Sequence, residues 1–391
     1  MDLIKKLTGK NPSEYEPVAK AMVDNSDLEL FSKLVEQDNF LFDFIKENVA
    51  RRIQKACNKD NYLNLLNFLG VYSPSYDTVI AEVLHNFGKE TIFDRIKDIF
   101  LSGNDSQKAY AVKYFSFADK GMVRELLPQI REASKSDFEP MAVNAVELLS
   151  LLNDEVSKNE ALQKLNSADE FEQFNAVEFL VVFGAKDVVA QIIEVMKKSS
   201  LSENIAAEIP YLVPVEELIK EDFDNGMLVL CNIINALPEI ISLSAVFDYN
   251  LFELFENLYC SNLTSTSALL LMLAKKKFEM LTENEEYLFD CDKNTKEEVL
   301  TIHDLLSGVN VNKLNSLLYE ELYDESDFVF FAIDFVDEVA ELETLLESKN
   351  QTLILKVLSL MKEKGILKPE YKELALQNIT SADIKRIVEV M

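Results

Sequence analysis

Ala50, Ala81, Val112, Ala145, Ala176 and Ala207 succeed one another at steps of 31, 31, 33, 31 and 31 residues, each at the equivalent place in an amphipathic segment. Ala268, Val299 and Phe330 continue at steps of 31 and 31. A fixed period in this range constrains the fold more than any other feature of the chain. One pair of amphipathic helices cannot bury both of its apolar faces alone, so recurring pairs must stack on their neighbours. The fold expected is all-α: an α/α superhelix, or solenoid, of about ten antiparallel helix pairs with a period of about 31 residues. The 391 residues include only 9 Gly and 9 Pro, and a chain so poor in breakers is mostly helix.

The clearest unit spans 105–135. A first helix is expected over about Ser106–Ala118, a turn at Asp119-Lys120-Gly121, and a second helix carrying Met122, Val123, Leu126, Leu127 and Ile130 at helical spacing. The next unit, 137–166, opens with Pro140 where a first helical turn tolerates it, and its first helix ends near Asn153-Asp154. A third opens with Asp169-Glu170-Phe171-Glu172, a start like a capping box. Phe171, Phe174, Val177, Leu180 and Val181 form its first stripe, Gly184 turns the chain, and Val188, Val189, Ile192, Ile193 and Met196 form its second. Residues 1–26 suit an N-terminal cap, 27–220 hold the regular repeats, and 221–391 read as a more irregular, strongly acidic continuation of the same solenoid, capped at its C-terminal end.

Phe117-Ala-Asp-Lys-Gly-Met-Val-Arg-Glu-Leu-Leu127 and Phe183-Gly-Ala-Lys-Asp-Val-Val-Ala-Gln-Ile-Ile193 resemble the turn and second helix of the HEAT-repeat family, best over roughly residues 75–220. Asp119 fits that family's turn aspartate and Gly184 its turn glycine, while Lys108 stands where such repeats often carry arginine. The resemblance implies a right-handed superhelix with second helices lining its concave side. It supports a fold and leaves the function open.

Charge is the other strong constraint. The net charge is −29, and it is uneven: residues 1–200 carry 24 Lys+Arg against 32 Asp+Glu, whereas residues 201–391 carry 15 against 36. Between 320 and 347 stand Glu320, Glu321, Asp324, Glu325, Asp327, Asp334, Asp337, Glu338, Glu341, Glu343 and Glu347, with no basic residue. Such a field repels phosphate backbones and anionic membranes and attracts basic proteins or cations. The same run also reads simply as the solvation of a long, thin protein. The basic clusters are Arg51-Arg52 with Lys55 and Lys59, and Lys275-Lys276-Lys277; neither interleaves with aromatics across several repeats, so no nucleic-acid partner is expected. Met227–Phe247 is the longest apolar stretch, but Asn232, Asn235, Pro238 and Glu239 interrupt it, and two buried helices meeting at Pro238-Glu239 fit better than a membrane span.

No catalytic, cofactor-binding or metal-binding residues are expected. Only His85 and His303 are present, so the several His-Glu pairs with which the HEAT-like deoxyhypusine hydroxylases hold iron are missing. Asp290-Cys291-Asp292-Lys293-Asn294 begins like an EF-hand loop, but Thr295 stands where glycine is needed and Thr301 where the bidentate glutamate is needed. There is no G-x-S-x-G, P-loop or G-x-G-x-x-G. Cys57, Cys231, Cys260 and Cys291 are far apart and fit a reducing, cytoplasmic setting. The function expected is a non-enzymatic scaffold or adaptor holding a basic protein partner on Glu320, Glu321, Asp324, Glu325, Asp327, Asp334, Asp337, Glu338 and Glu341, with Tyr319, Tyr323, Phe328, Phe330, Phe331 and Phe335 as aromatic anchors or as helix core. The alternative is a small-molecule-handling or enzymatic HEAT-like protein, of the lyase or chaperone type, whose chemistry the residues do not identify.

Overall fold

The computed structural model describes residues 2–391 apart from 248, 289–290, 324–326 and 337. All regular structure among these residues is helical, α with short 3-10 pieces, and no strand occurs among them. The chain packs as two compact units, Met1–Glu160 with Val182–Gly184, and Ala161–Val181 with Ala185–Met391. The step in charge and regularity near residue 220 therefore lies inside the second unit.

In the first unit the helices Asp43–Ala56, Pro74–Gly88, Asp105–Phe115 and Glu139–Leu151 pack in series, each on the next. Ala50, Ala81, Val112 and Ala145 are buried within them. Local chemistry sets their ends. Asn104 and Gln107 form a reciprocal capping box, each side chain accepting from the other's backbone N–H at 2.9 and 3.0 Å. Asp119 accepts from the N–H groups of Gly121 and Met122 and opens the following helix. That helix is not continuous as expected. Pro128 has no N–H to give the preceding turn, and the segment divides into Lys120–Arg124 and Leu127–Ala133 while still burying Val123, Leu126 and Ile130. The helix Glu139–Leu151 stops before Asn153, which takes a left-handed φ of 52°.

Polar links tie the stack together. The Asn144 amide donates to the Ala109 carbonyl at 3.2 Å and to the Tyr72 hydroxyl at 3.0 Å, and that hydroxyl donates to Asp77 at 2.8 Å. Burial, with the Asp77 charge adding, raises the Tyr72 hydroxyl above its ordinary range, so it stays a donor. Asp154 receives both ends of the Arg131 fork, at 2.8 and 2.5 Å, and accepts from the Ser157 hydroxyl at 2.6 Å. Arg131 first, with Ser157 adding, holds its carboxyl below the usual range.

In the second unit Asp169 caps the helix Glu170–Phe183 by accepting from Phe171 and Glu172, but the Glu172 side chain accepts from the Ser167 hydroxyl rather than closing a box. Phe171, expected on the apolar stripe, is 71% exposed, whereas Val177 and Leu180 are buried. Gly184, which counts with the first unit, turns the chain at φ 74°, and Val188, Val189, Ile192, Ile193 and Met196 of the second are all buried as expected. The helix Phe223–Ala236 is buried nearly all round because Ser202–Glu208, Val215–Glu221 and Ser265–Glu283 all pack on it. It ends before Leu237-Pro238, and a separate helix, Leu243–Phe247, follows. No helix among the described residues is long and apolar enough to cross a membrane. Lys197 pairs with Asp327 at 3.1 Å, so parts of this unit 130 residues apart in the chain touch, a contact that stacking of neighbours alone does not give.

Candidate functional site

The acidic stretch does not form one uniform face. Glu320 and Glu338 are exposed. Glu321 is 3% exposed, with its carboxylate 3.5 Å from the Thr266 hydroxyl. Its charge adds to the burial that raises the Cys231 thiol above its usual range. Asp327 pairs with Lys197, and Asp334 pairs with Lys356 at 2.9 Å. Asp324, Glu325 and Asp337 lie outside the described residues.

The aromatic set divides the same way. Phe328 and Phe331 are core. Phe330 lies under the Lys356 ammonium, 4.2 Å from the ring centroid, and Lys276 stands 5.7 Å from Phe335. An aromatic ring bordered by a carboxylate does capture a lysine here, but the lysine is the chain's own Lys356. Tyr319 is exposed, and the Tyr323 side chain lies outside what is described.

What the fold brings together instead is a groove of about 580 Å³ lined by Leu322, Asp327, Val329, Glu341, Thr344, Leu345, Glu347, Ser348, Lys349, Asn350 and Leu353. Its walls come from the ends of Val311–Tyr323 and Val329–Ala332, the helix Val339–Leu345, and the first turn of Gln351–Glu363. Asn350 fixes that last turn by accepting from Thr352 and Leu353, both at 3.1 Å. Leu322, Val329 and Leu353 are buried, while Asp327 and Glu347 are exposed and Glu341 is half-buried. Asp327, already paired with Lys197, and Glu341 and Glu347 border a lining that is part apolar and part polar, with Lys349 beside them. Glu347 and the apolar part of the lining were absent from the expected site, because their meeting depends on how Leu345–Asn350 turns between two helices.

The other sequence candidates serve structure. Asp292 caps the helix Lys293–Ser307, accepting from the Asn294 and Thr295 N–H groups at 2.7 and 3.1 Å, and Asp290 of that run lies outside the described residues. His85 packs edge-on against Tyr114 with centroids 6.0 Å apart. The Cys57 thiol, flanked in sequence by cations, is nonetheless pushed up to about 12 by burial with the Asp24 charge adding, and it donates to the Ile53 carbonyl at 3.1 Å. Among the described residues no three His, Cys, Asp or Glu side chains cluster as a metal site. A surface feature that periodicity did not reveal lies in the first unit: Phe40, Phe42 and Phe44 are 86, 73 and 60% exposed. No family model matches the chain, and no curated protein is significantly similar to it in sequence.

Proposed function

We propose that this protein is a non-catalytic, cytoplasmic scaffold, an α-solenoid of HEAT-like repeats, that docks a basic protein segment in the groove rimmed by Asp327, Glu341 and Glu347. The groove carries the proposal: leucine and valine side chains in its lining for a side-chain anchor and acidic residues at its rim for lysines or arginines, in the half of the chain that bears 36 acidic residues against 15 basic ones. Support for the repeat comes from the helices beginning at Asp43, Pro74, Asp105 and Glu139, which pack in series at nearly the sequence period. The exposed Phe40, Phe42 and Phe44 favour a second contact area, since a monomer seldom leaves three large aromatics so close together in water.

The test is affinity capture from native cytosol at low and high salt, with the wild type and with Glu341→Lys/Glu347→Lys. A basic protein held by the wild type at low salt, released at high salt and lost with the variant supports the groove. An identical set of captured proteins with both chains refutes it. The alternative, a small-molecule-handling protein, is favoured by one observation, a cavity in the first unit.

A further inference from the structure

A cavity of about 510 Å³ lies between the helices Pro12–Asp24 and Asp43–Ala56. Its volume falls in the range of small-molecule clefts. Arg51, Arg52 and Lys55 line it from one helix and Lys20 from the other, and Glu16 is the one carboxylate in its lining. Position 55 is the helical neighbour of both 51 and 52, at i+4 and i+3, so Lys55 lies beside both arginines.

Their partners show which charges remain available. Arg52 is held in place without being neutralised: its guanidinium lies 3.8 Å over the Tyr15 ring, and it donates to the Leu7 backbone carbonyl. Lys55 makes no ion pair among the described residues. Arg51 pairs with Glu47, and Lys20 with Asp24 at 2.6 Å, both exposed i,i+4 pairs of the kind that exchange partners at little cost. The Asn58 amide nitrogen, also in the lining, adds a neutral donor without a partner among the described residues. Four cations around one cavity repel each other, and in a chain of net charge −29 they are not needed for solubility.

We infer that this cleft binds a phosphate-bearing small molecule of nucleotide size, its phosphate oxygens held by Arg51, Arg52, Lys55 and Lys20. A monocarboxylate satisfies one guanidinium. A phosphomonoester or polyphosphate carries at least two negative charges and several oxygens, enough to engage several cations, and the planar arginine fork matches it. Nucleic acid is disfavoured by the chain's net charge of −29, which repels a long phosphate backbone. This binding is independent of the acidic groove.

The test is calorimetric titration of the full chain with inorganic tripolyphosphate, and with citrate as a polycarboxylate of similar charge. Tripolyphosphate is expected to bind at one site per chain and more tightly than citrate. Arg52→Gln/Lys55→Gln is expected to lower that affinity about tenfold or more, as loss of charge-assisted hydrogen bonds does. Lys385→Gln/Arg386→Gln, the same charge change in the last helix, is expected to leave it unchanged. Lys55→Gln alone, which removes no hydrogen bond or ion pair among the described residues, is expected to weaken tripolyphosphate binding too and keeps the test valid if the double variant unfolds. No binding of tripolyphosphate, equal binding of citrate, or equal weakening by both double variants overturns the inference.

Discussion

Gly226→Ala separates close packing from helix propensity. Gly226 lies inside the helix Phe223–Ala236, where alanine is favoured over glycine by about 1 kcal/mol on propensity alone. The structure predicts the opposite sign. A Cβ at this position would lie 2.6 Å from both the Cα and the N of Ile219, and 2.7 Å from its Cγ1. Carbon contacts relax at about 3.5–4.0 Å, so the helices Val215–Glu221 and Phe223–Ala236 must part by roughly 1 Å. The obstacle is backbone and cannot swing aside. The longer helix cannot retreat either, because Ser202–Glu208 and Ser265–Glu283 also pack on it. Overpacking of this kind costs about 1–3 kcal/mol and is expected here at its upper end, leaving a net loss of about 1–2 kcal/mol after the propensity gain. Thermal unfolding followed by circular dichroism reads this directly, at roughly 2–4 °C per kcal/mol for a unit of this size. Gly308→Ala is the control: its Cβ meets only the Leu305 carbonyl at an ordinary 3.5 Å, and its melting temperature should hold or rise slightly. A Gly226→Ala protein as stable as the wild type would refute the close-packing argument.

Asp154→Asn should destabilise the first unit by about 1–3 kcal/mol, because Arg131 loses its paired carboxylate in a partly buried setting. Since the Asp154 carboxyl is held below its ordinary value, the stability it supplies is present above about pH 4 and is lost as the pH falls through its folded value; the variant's deficit should therefore shrink on acidification, as urea melts across pH would show. Asn144→Leu should cost about 1–3 kcal/mol by leaving the Ala109 carbonyl without that donor, and a variant as stable as the wild type would contradict the polar link. Phe42→Ser/Phe44→Ser should alter stability by no more than about 0.5 kcal/mol per site, since both rings face water, and any loss of a captured protein would then belong to the surface itself. With a thiol-alkylating reagent read by mass spectrometry, exposed Cys260 should react first, and buried Cys57 and Cys231 only on unfolding.

The sequence made the helices legible because their signals are local. The spacing of Val188, Val189, Ile192, Ile193 and Met196 marked a buried face, and Gly184, Asp119 and Pro140 marked turns and helix starts. What it concealed depends on contacts between distant residues. Phe171 has the spacing of a core residue, yet it stands exposed. Pro128 divides a helix whose apolar period runs straight through. The acidic stretch read as one charged surface because pattern alone cannot reveal that Lys197 and Lys356 occupy two of its carboxylates or that Glu321 turns inward. Arg51, Arg52 and Lys55 were legible as a basic cluster, but the cleft was not, because Lys20 lies some thirty residues from Arg51 and joins them only in the fold.

The docking groove is tested most directly by amide hydrogen exchange along the chain, with and without the basic protein captured at low salt. The account predicts new protection concentrated in residues 339–353, which line the groove, and its loss with Glu341→Lys/Glu347→Lys. Protection confined to other helices, or retained in full by the variant, would contradict it.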